Sequence, residues 1–374
     1  MNYPVAKTLL LSIVVLGSVA SATASAEGMK ITRQIILSPT HKVAPYSITR
    51  ASNGDLIIAG ADSLGNYHAW ATRVSSSGEP IWEYLDGTAD SWTDYSENSQ
   101  QFYSATELKN GGILLCGIKR AVDSTKLVAF LVRIGVDGKL IDRRILQPAH
   151  DGMPIGGIKC IAVDNGVMVL SGLAVVPRGT GWLTRLDADG NVVWEKFGDQ
   201  YGYQDAMPAD NGGLYIIRGN EVAKIDAEGK LLAQHDLPGS EQTFLHPPGL
   251  PTKVQIAAIL STQKSVIIDI DLNLKGPLHT THIGSFSTRR GLYSANGVAT
   301  LFGSGYVGLF NQVTAGAASI YKSGGSNRFI LEPRFQSSWF YDAVPTDSSG
   351  REFATVRFIV NAGGTGALAW ISFK

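Results

Sequence analysis

One block of sequence returns several times along this chain, and its internal order leaves few architectures open. It reads as an apolar strand, an Asn-Gly turn, a second apolar strand, a variable loop, a third strand carrying a basic residue, an x-x-Gly turn and a fourth strand. The clearest copies are residues 47–60 with 68–85, 104–117 with 128–146, 160–172 with 181–197, and 206–219 with 221–237. The first of them is SITRASNGDLIIAG followed by HAWATRVSSSGEPIWEYL. The turn residues have a mechanical reason to recur. Asn53-Gly54, Asn110-Gly111, Asn165-Gly166 and Asn211-Gly212 supply the positive φ of a tight first hairpin. Gly78, Gly138, Gly190 and Gly229 close the second hairpin. Gly60, Gly117, Gly172 and Gly219 end the second strand, where a missing side chain permits close backbone approach.

Weaker copies follow. Residues 250–261 with 265–283 form a fifth unit without its Asn-Gly turn, and residues 291–305 with 316–333 form a sixth that regains it at Asn296-Gly297. Residues 340–360 with 366–374 supply three strands and stop, while KITRQIIL (residues 30–37) is a spare strand ahead of the first complete unit. A ring of sheets needs that arrangement, because the N-terminal strand completes the last unit and removes its free edge. The units lie roughly 41–56 residues apart, the length of a four-stranded propeller blade. The expected fold is therefore all-β: a seven-bladed β-propeller of four-stranded antiparallel blades, closed by the N-terminal strand in the last blade. Residues 27–374 then form one domain despite their length, since rings of repeats escape the usual size prior.

Residues 1–26 read as a secretory leader. Lys7 is the positive start, TLLLSIVVLGSVA is a short apolar run, and Ala24-Ser25-Ala26 is a small-residue cleavage site. The run is shorter than the ~20 residues of a membrane-spanning helix. The expected location is the periplasm or the exterior, with no stable membrane insertion after cleavage. Formal charge is zero at pH 7, which argues against nucleic acid or an anionic membrane as partner. Cys116 and Cys160 sit in apolar strand-like runs and read first as buried free thiols. A disulfide staple is the alternative that an oxidising compartment allows.

The units in which Gly is followed four residues later by Trp (Gly78…Trp82 and Gly190…Trp194) resemble bacterial propeller repeats of the pyrroloquinoline-quinone-like, WD-like superfamily. LDADGNVVWEKFG, residues 186–198, matches that pattern best. The resemblance implies a tryptophan packed between neighbouring blades, although Asp142 and Ala233 replace it in the second and fourth units. It implies fold and not activity. The quinone enzymes of the group are matched in blade pattern alone. No adjacent Cys-Cys pair and no Glu/Asn/Asp calcium set is evident, so no cofactor is expected.

A residue type repeated at one position in every unit serves the fold, and one found in a single unit is free to serve function. Arg73, Arg133, Arg185 and Lys224, each five residues before the turn glycine, thus read as structural links between blades. The unique residues gather in loops that a propeller presents on one face. The longest such loop, residues 86–101, carries Trp92, Asp94 and Tyr95. Tyr67, Arg120, Arg178, Tyr203, Arg289, Arg290, Trp339 and Tyr341 are expected on the same face, where aromatic and arginine side chains suit partner binding. Catalytic motifs are thin. His279 and His282 are an odd number of residues apart and point to opposite faces of a strand, so no metal site is expected. The leading expectation is a non-catalytic binding protein, a scaffold or an immunity-type inhibitor, with a protein partner. The alternative is an enzyme or binding protein for a glycan or small molecule at the channel mouth.

Overall fold

The computed structural model of the chain describes residues 29–62, 68–86, 100–120, 127–146, 156–164, 166–172, 181–197, 202–238, 240–246, 253–259, 265–276, 278–284, 287–293, 299–306, 313–322, 325–330, 338–347, 352–359 and 365–373. The expected leader lies outside them.

The first sheet is β2 (Val43–Arg50), β3 (Leu56–Asp62), β4 (Ala69–Val74) and β5 (Pro80–Leu85), paired in that order. Every residue of β3 and β4 is buried, whereas β5 alternates toward solvent. This is why LIIAGAD is a continuous apolar run and not an alternating one: other sheets cover both of its faces. The same order recurs in β6 (Gln100–Glu107), β7 (Ile113–Arg120), β8 (Leu127–Ile134) and β9 (Leu140–Leu146). It recurs again in β10 (Gly156–Val163), β11 (Gly166–Gly172), β12 (Trp182–Leu186) and β13 (Val192–Phe197), and in β14 (Tyr203–Pro208), β15 (Leu214–Arg218), β16 (Glu221–Ile225) and β17 (Leu231–Asp236).

The two weak copies form sheets as well. They are β18 (Ser240–His246), β19 (Val254–Ile259), β20 (Ser265–Ile270) and β21 (His279–Gly284), then β22 (Ser287–Tyr293), β23 (Ala299–Tyr306), β24 (Val313–Lys322) and β25 (Gly325–Ile330). A short parallel pairing of Leu245 and His246 with Gly291 and Leu292 joins them into one eight-stranded sheet. In the last sheet β26 (Ser338–Pro345), β27 (Glu352–Ile359) and β28 (Thr365–Phe373) are completed by β1 (Met29–Ile36). β1 runs antiparallel to β28 from Met29 opposite Phe373 to Ile36 opposite Ala367.

The core lies between sheets. Ile57, Ala59 and Ala71 of the first sheet meet Phe102, Leu115 and Phe130 of the second. Val344, Val356 and Leu368 of the last meet Ile48, Leu56 and Trp70 of the first. First strands also pack on one another: β26 on β2, β2 on β6, β6 on β10, β10 on β14, β14 on β18, β18 on β22, and β22 on β26.

The second hairpins behave as their glycines require. Gly138 has φ +81°, and the ladder slips one residue beside it, between Arg133 and Ile134. The glycine has a second use. A Cβ there would stand 2.6 Å from the Trp82 ring of the preceding sheet, and Gly229 meets Trp194 at the same distance. Each tryptophan therefore packs on the turn of the next sheet. One glycine of the second strand needs correcting. Gly60, Gly117 and Gly172 each pair with the residue just before a bulge of the first strand, but in the fourth sheet Arg218 and not Gly219 holds that place. Gly219 instead takes φ +54° in the turn that follows.

The free-thiol expectation is overturned. Cys116 of β7 and Cys160 of β10 are bonded to each other, with Cα atoms 6.1 Å apart. Both side chains point into the core between second and third sheets, so two apolar strand positions face each other across the interface. The basic residues of the third strands divide into two kinds. Arg133 Nη1 donates to Asp189 O and Arg185 Nη1 to Ala227 O, both in the next sheet. Arg73 and Lys224 instead pair with Asp55 and Asp210 of their own first hairpins. The fifth unit keeps this last pair with its charges exchanged. Lys253 stands where Asp55 does and bonds Asp269, which stands where Arg73 does.

Candidate functional site

A second irregularity repeats on the first strands. β2, β6, β14, β22 and β26 each carry one extra residue against the partner strand: Tyr46, Tyr103, Gln204, Arg289 and Tyr341. A bulge leaves its residue outside the ladder and bends the strand there. The extra residue is tyrosine on three consecutive sheets, Tyr341, Tyr46 and Tyr103, and is Gln204 or Arg289 on two others.

The next position along the strand is a fastening point. Asp342 accepts from Ile48 N of the next sheet at 3.1 Å and from Ala343 N at 2.8 Å, one bond per carboxylate oxygen. Asp205 repeats this with Phe244 N at 2.9 Å and Ala206 N at 2.8 Å, and also pairs with Lys159. Ser104 Oγ accepts from Cys160 N at 3.2 Å. Ser47, at the equivalent place in β2, is buried and its Oγ has no hydrogen-bond partner.

Aromatic rings meet beside these positions, both between β26 and β2, where Asp342 fastens the strands, and between β2 and β6, where Ser47 does not. Tyr46 and Tyr103 stack with centroids 5.3 Å apart and planes 18° from parallel, and Tyr341 meets Tyr46 edge-on at 5.6 Å. Three half-buried tyrosines on consecutive first strands thus make one arc. The Tyr103 hydroxyl donates to Gln101 Oε1 at 2.8 Å, and burial pushes its phenol above the ordinary value.

A second polar cluster sits between outer strands. Asp86 Oδ1 accepts from Tyr84 OH at 2.5 Å and from Arg143 Nε at 2.6 Å. Burial, and then the Asp86 carboxylate, raise the Tyr84 phenol, while Arg143 opposes the shift. The cluster ties Asp86, at the start of the 86–101 loop, to the second sheet. Among the described residues no group of three or more metal-ligating side chains occurs, and no helix is long and apolar enough to cross a membrane.

The sequence-derived candidates fall into three sets. Tyr67, Trp92, Asp94, Tyr95 and Arg178 lie outside the described residues. Arg120 ends β7, Arg289 is the bulge of β22 with Arg290 beside it, and Trp339 lies opposite Phe358 in β26; for these four the backbone alone is described. Tyr341 belongs to the arc. Tyr203 precedes the bulge of its strand and is half-buried against the core between third and fourth sheets, as Tyr103 and Tyr341 are against theirs. Tyr46 and Tyr103 escaped notice because the repeat appeared to begin one residue later, at Ser47 and Ser104. The signal was present as PYSI, FYSA and FYDA at residues 45–48, 102–105 and 340–343.

No protein-family profile matches the chain, and no curated protein matches it in sequence. Its likeness is to solved structures. A chain of a mitotic checkpoint complex is 10% identical with a TM-score of 0.59, over 100% of this chain and 96% of that one. The Dos1 propeller is 8% identical with a TM-score of 0.56, over 92% and 95%. The WD40 domain of SCAP from fission yeast is 12% identical over 91% and 98%, with a TM-score of 0.48 that adds no weight. At these identities the likeness bears on fold alone: an all-β chain of four-stranded antiparallel sheets with a WD-like β-propeller architecture.

Proposed function

We propose that this chain is an exported, non-catalytic, seven-bladed β-propeller that holds a protein partner on the face from which its first strands run inward. The ring reading is supported by the succession of first strands, each against the next, and by β1 completing the last sheet. Placement beside the quinone-type repeats draws on Trp82 and Trp194, which pack on the glycine turns of the following sheets. Export, with cleavage after residue 26, rests on the leader sequence. One propeller of similar fold belongs to a mitotic checkpoint complex, so the architecture serves in at least one protein assembly.

The observation that carries the binding role is the tyrosine arc. Tyr341, Tyr46 and Tyr103 occupy bulge positions that hold Gln204 and Arg289 on two other sheets, and tyrosine is a residue of choice at protein contacts. The alternative of catalysis on a glycan or small molecule is supported less. Asp205 and Asp342, the described carboxylates beside the bulges, are both engaged by backbone N–H groups. The test is paired. Tyr46→Ala and Tyr341→Ala should hold the melting temperature within a few degrees and weaken partner retention by about 1–3 kcal/mol at a true anchor. Trp194→Ala should lower the melting temperature and touch binding only secondarily. Arc variants that retain the partner fully overturn the reading.

A further inference from the structure

The fourth strands of three sheets show water large aliphatic residues only where they begin: Ile81 in β5, Val192 and Val193 in β13, Leu231 and Leu232 in β17. Among the described residues β9 differs. It exposes Leu140 and Ile141 at its start and Ile145 near its end, the isoleucines at 55% and 52%. Ile141, Arg143 and Ile145 share the outward face, as residues two apart on a strand do. β9 is also the last strand of its sheet, so one row of its backbone N–H and C=O groups has no described strand beside it. Such an edge is a template for another chain. Its sequence says which chain, because LIDRRIL is symmetric in chemistry about Arg143. Two copies laid antiparallel, with a two-fold axis at Arg143, set Ile141 against Ile145 of the second copy and Asp142 against Arg144 of the second copy. Each of these contacts then occurs twice. Asp142 and Arg144 already pair within one chain at 3.1 Å and both stay partly exposed, so a second guanidinium can reach the carboxylate. Only the two Arg143 side chains bring like charges together, and each carries its own counter-charge, with Nε donating to Asp86 at 2.6 Å. The ladder to β8 slips at Ile141, which leaves the rungs nearest the axis, Asp142 to Arg144, regular.

We propose that β9 is the contact through which two copies of this chain associate, edge to edge and antiparallel about Arg143. The contact lies on an outer strand and not on the first strands, so it stands or falls apart from the partner reading above. Light scattering on the mature protein across about 1–200 μM should show monomer passing to dimer, as a small interface requires. Ile141→Lys and Ile145→Lys change exposed residues, so each should hold the melting temperature within a few degrees and weaken the dimer about tenfold or more. Val193→Lys alters the position on β13 that corresponds to Ile141 and should leave the dimer unchanged. Register is tested by mixing. Asp142→Arg sets arginine against arginine across the axis and Arg144→Asp sets aspartate against aspartate, so each alone should weaken the dimer about tenfold. Mixed in equal amounts, the two variants meet with opposite charges at every such pair, and affinity should return to within about threefold of wild type. Should a charge variant fold poorly, Arg143→Cys gives a second readout. Both native cysteines are bonded to each other, so the new thiol is the one that mild oxidation can link to a second chain. The same change at Glu83, exposed on β5, should give no linked dimer. A wild-type chain that stays monomeric, or a dimer indifferent to both isoleucine variants, overturns the proposal. So does a dimer lost in Val193→Lys, a mixture of folded charge variants that fails to associate, or an Arg143→Cys chain that does not cross-link.

Discussion

Charge placement in this protein follows the ladder and not the residue type, and the Lys253–Asp269 pair makes the point. Its equivalent in the first sheet, Asp55 with Arg73, has the opposite polarity on the same two positions. Lys253→Asp or Asp269→Arg alone should cost about 1 kcal/mol, since like charges then face each other at a half-exposed site. The double variant should recover most of the loss, and a denaturant double-mutant cycle measures the coupling. Acid should act at residue scale too. The backbone N–H of Asn191, and then its side chain, hold the Asp187 carboxyl below its ordinary 3.8, and the Lys224 ammonium does the same to Asp210. The unfolded chain then binds more protons in that window. Stability from these groups is complete above about pH 4 and is lost as pH falls below it. Melting temperatures from pH 6 to 2 check this, and Asp187→Asn should flatten the slope. Turn glycines and third-strand basic residues were legible in the sequence because the same residue types recur at each position, although only Arg133 and Arg185 make the expected link to the next sheet. Tyr46 and Tyr103 were not, since a bulge is a register event and register appears only when partner strands are aligned.

At the scale of elements, strands were legible and their partners across sheets were not. Hairpin signals are local, so the weak fifth unit could be read from alternation even without its Asn-Gly turn. The Cys116–Cys160 bond joins β7 to β10 across 44 residues, and nothing local distinguishes it from two buried thiols. Cross-linking a loop of that size contributes about 4 kcal/mol in the chain-entropy picture. Protein denatured without reductant should show no reactive thiol, and addition of reductant should release both. Cys116→Ala with Cys160→Ala should lower the denaturation midpoint by a comparable energy, less whatever the smaller side chains regain in packing. The tryptophans show the same division. Their spacing from the turn glycine is a sequence pattern, but Gly138 receiving Trp82 from another sheet is a fact of stacking.

For the whole molecule the decisive strand is β1. Removing residues 29–36 leaves β28 with an open edge and exposes Trp370, whose ring lies 4.7 Å from the Arg33 guanidinium. That truncation should lower the melting temperature by many degrees and promote self-association, which calorimetry and light scattering detect. A truncated chain that melts like the intact one would remove the support for ring closure. The pairing has a further, mechanical consequence. Met29 and Phe373 are opposite each other at one end of the β1–β28 ladder, so the first and last described residues lie on the same rung. Tension applied between them pulls across the hydrogen bonds one at a time and does not shear them together. The β1–β28 pairing should therefore open under modest force by unzipping from Met29 toward Ile36, however resistant it is to heat.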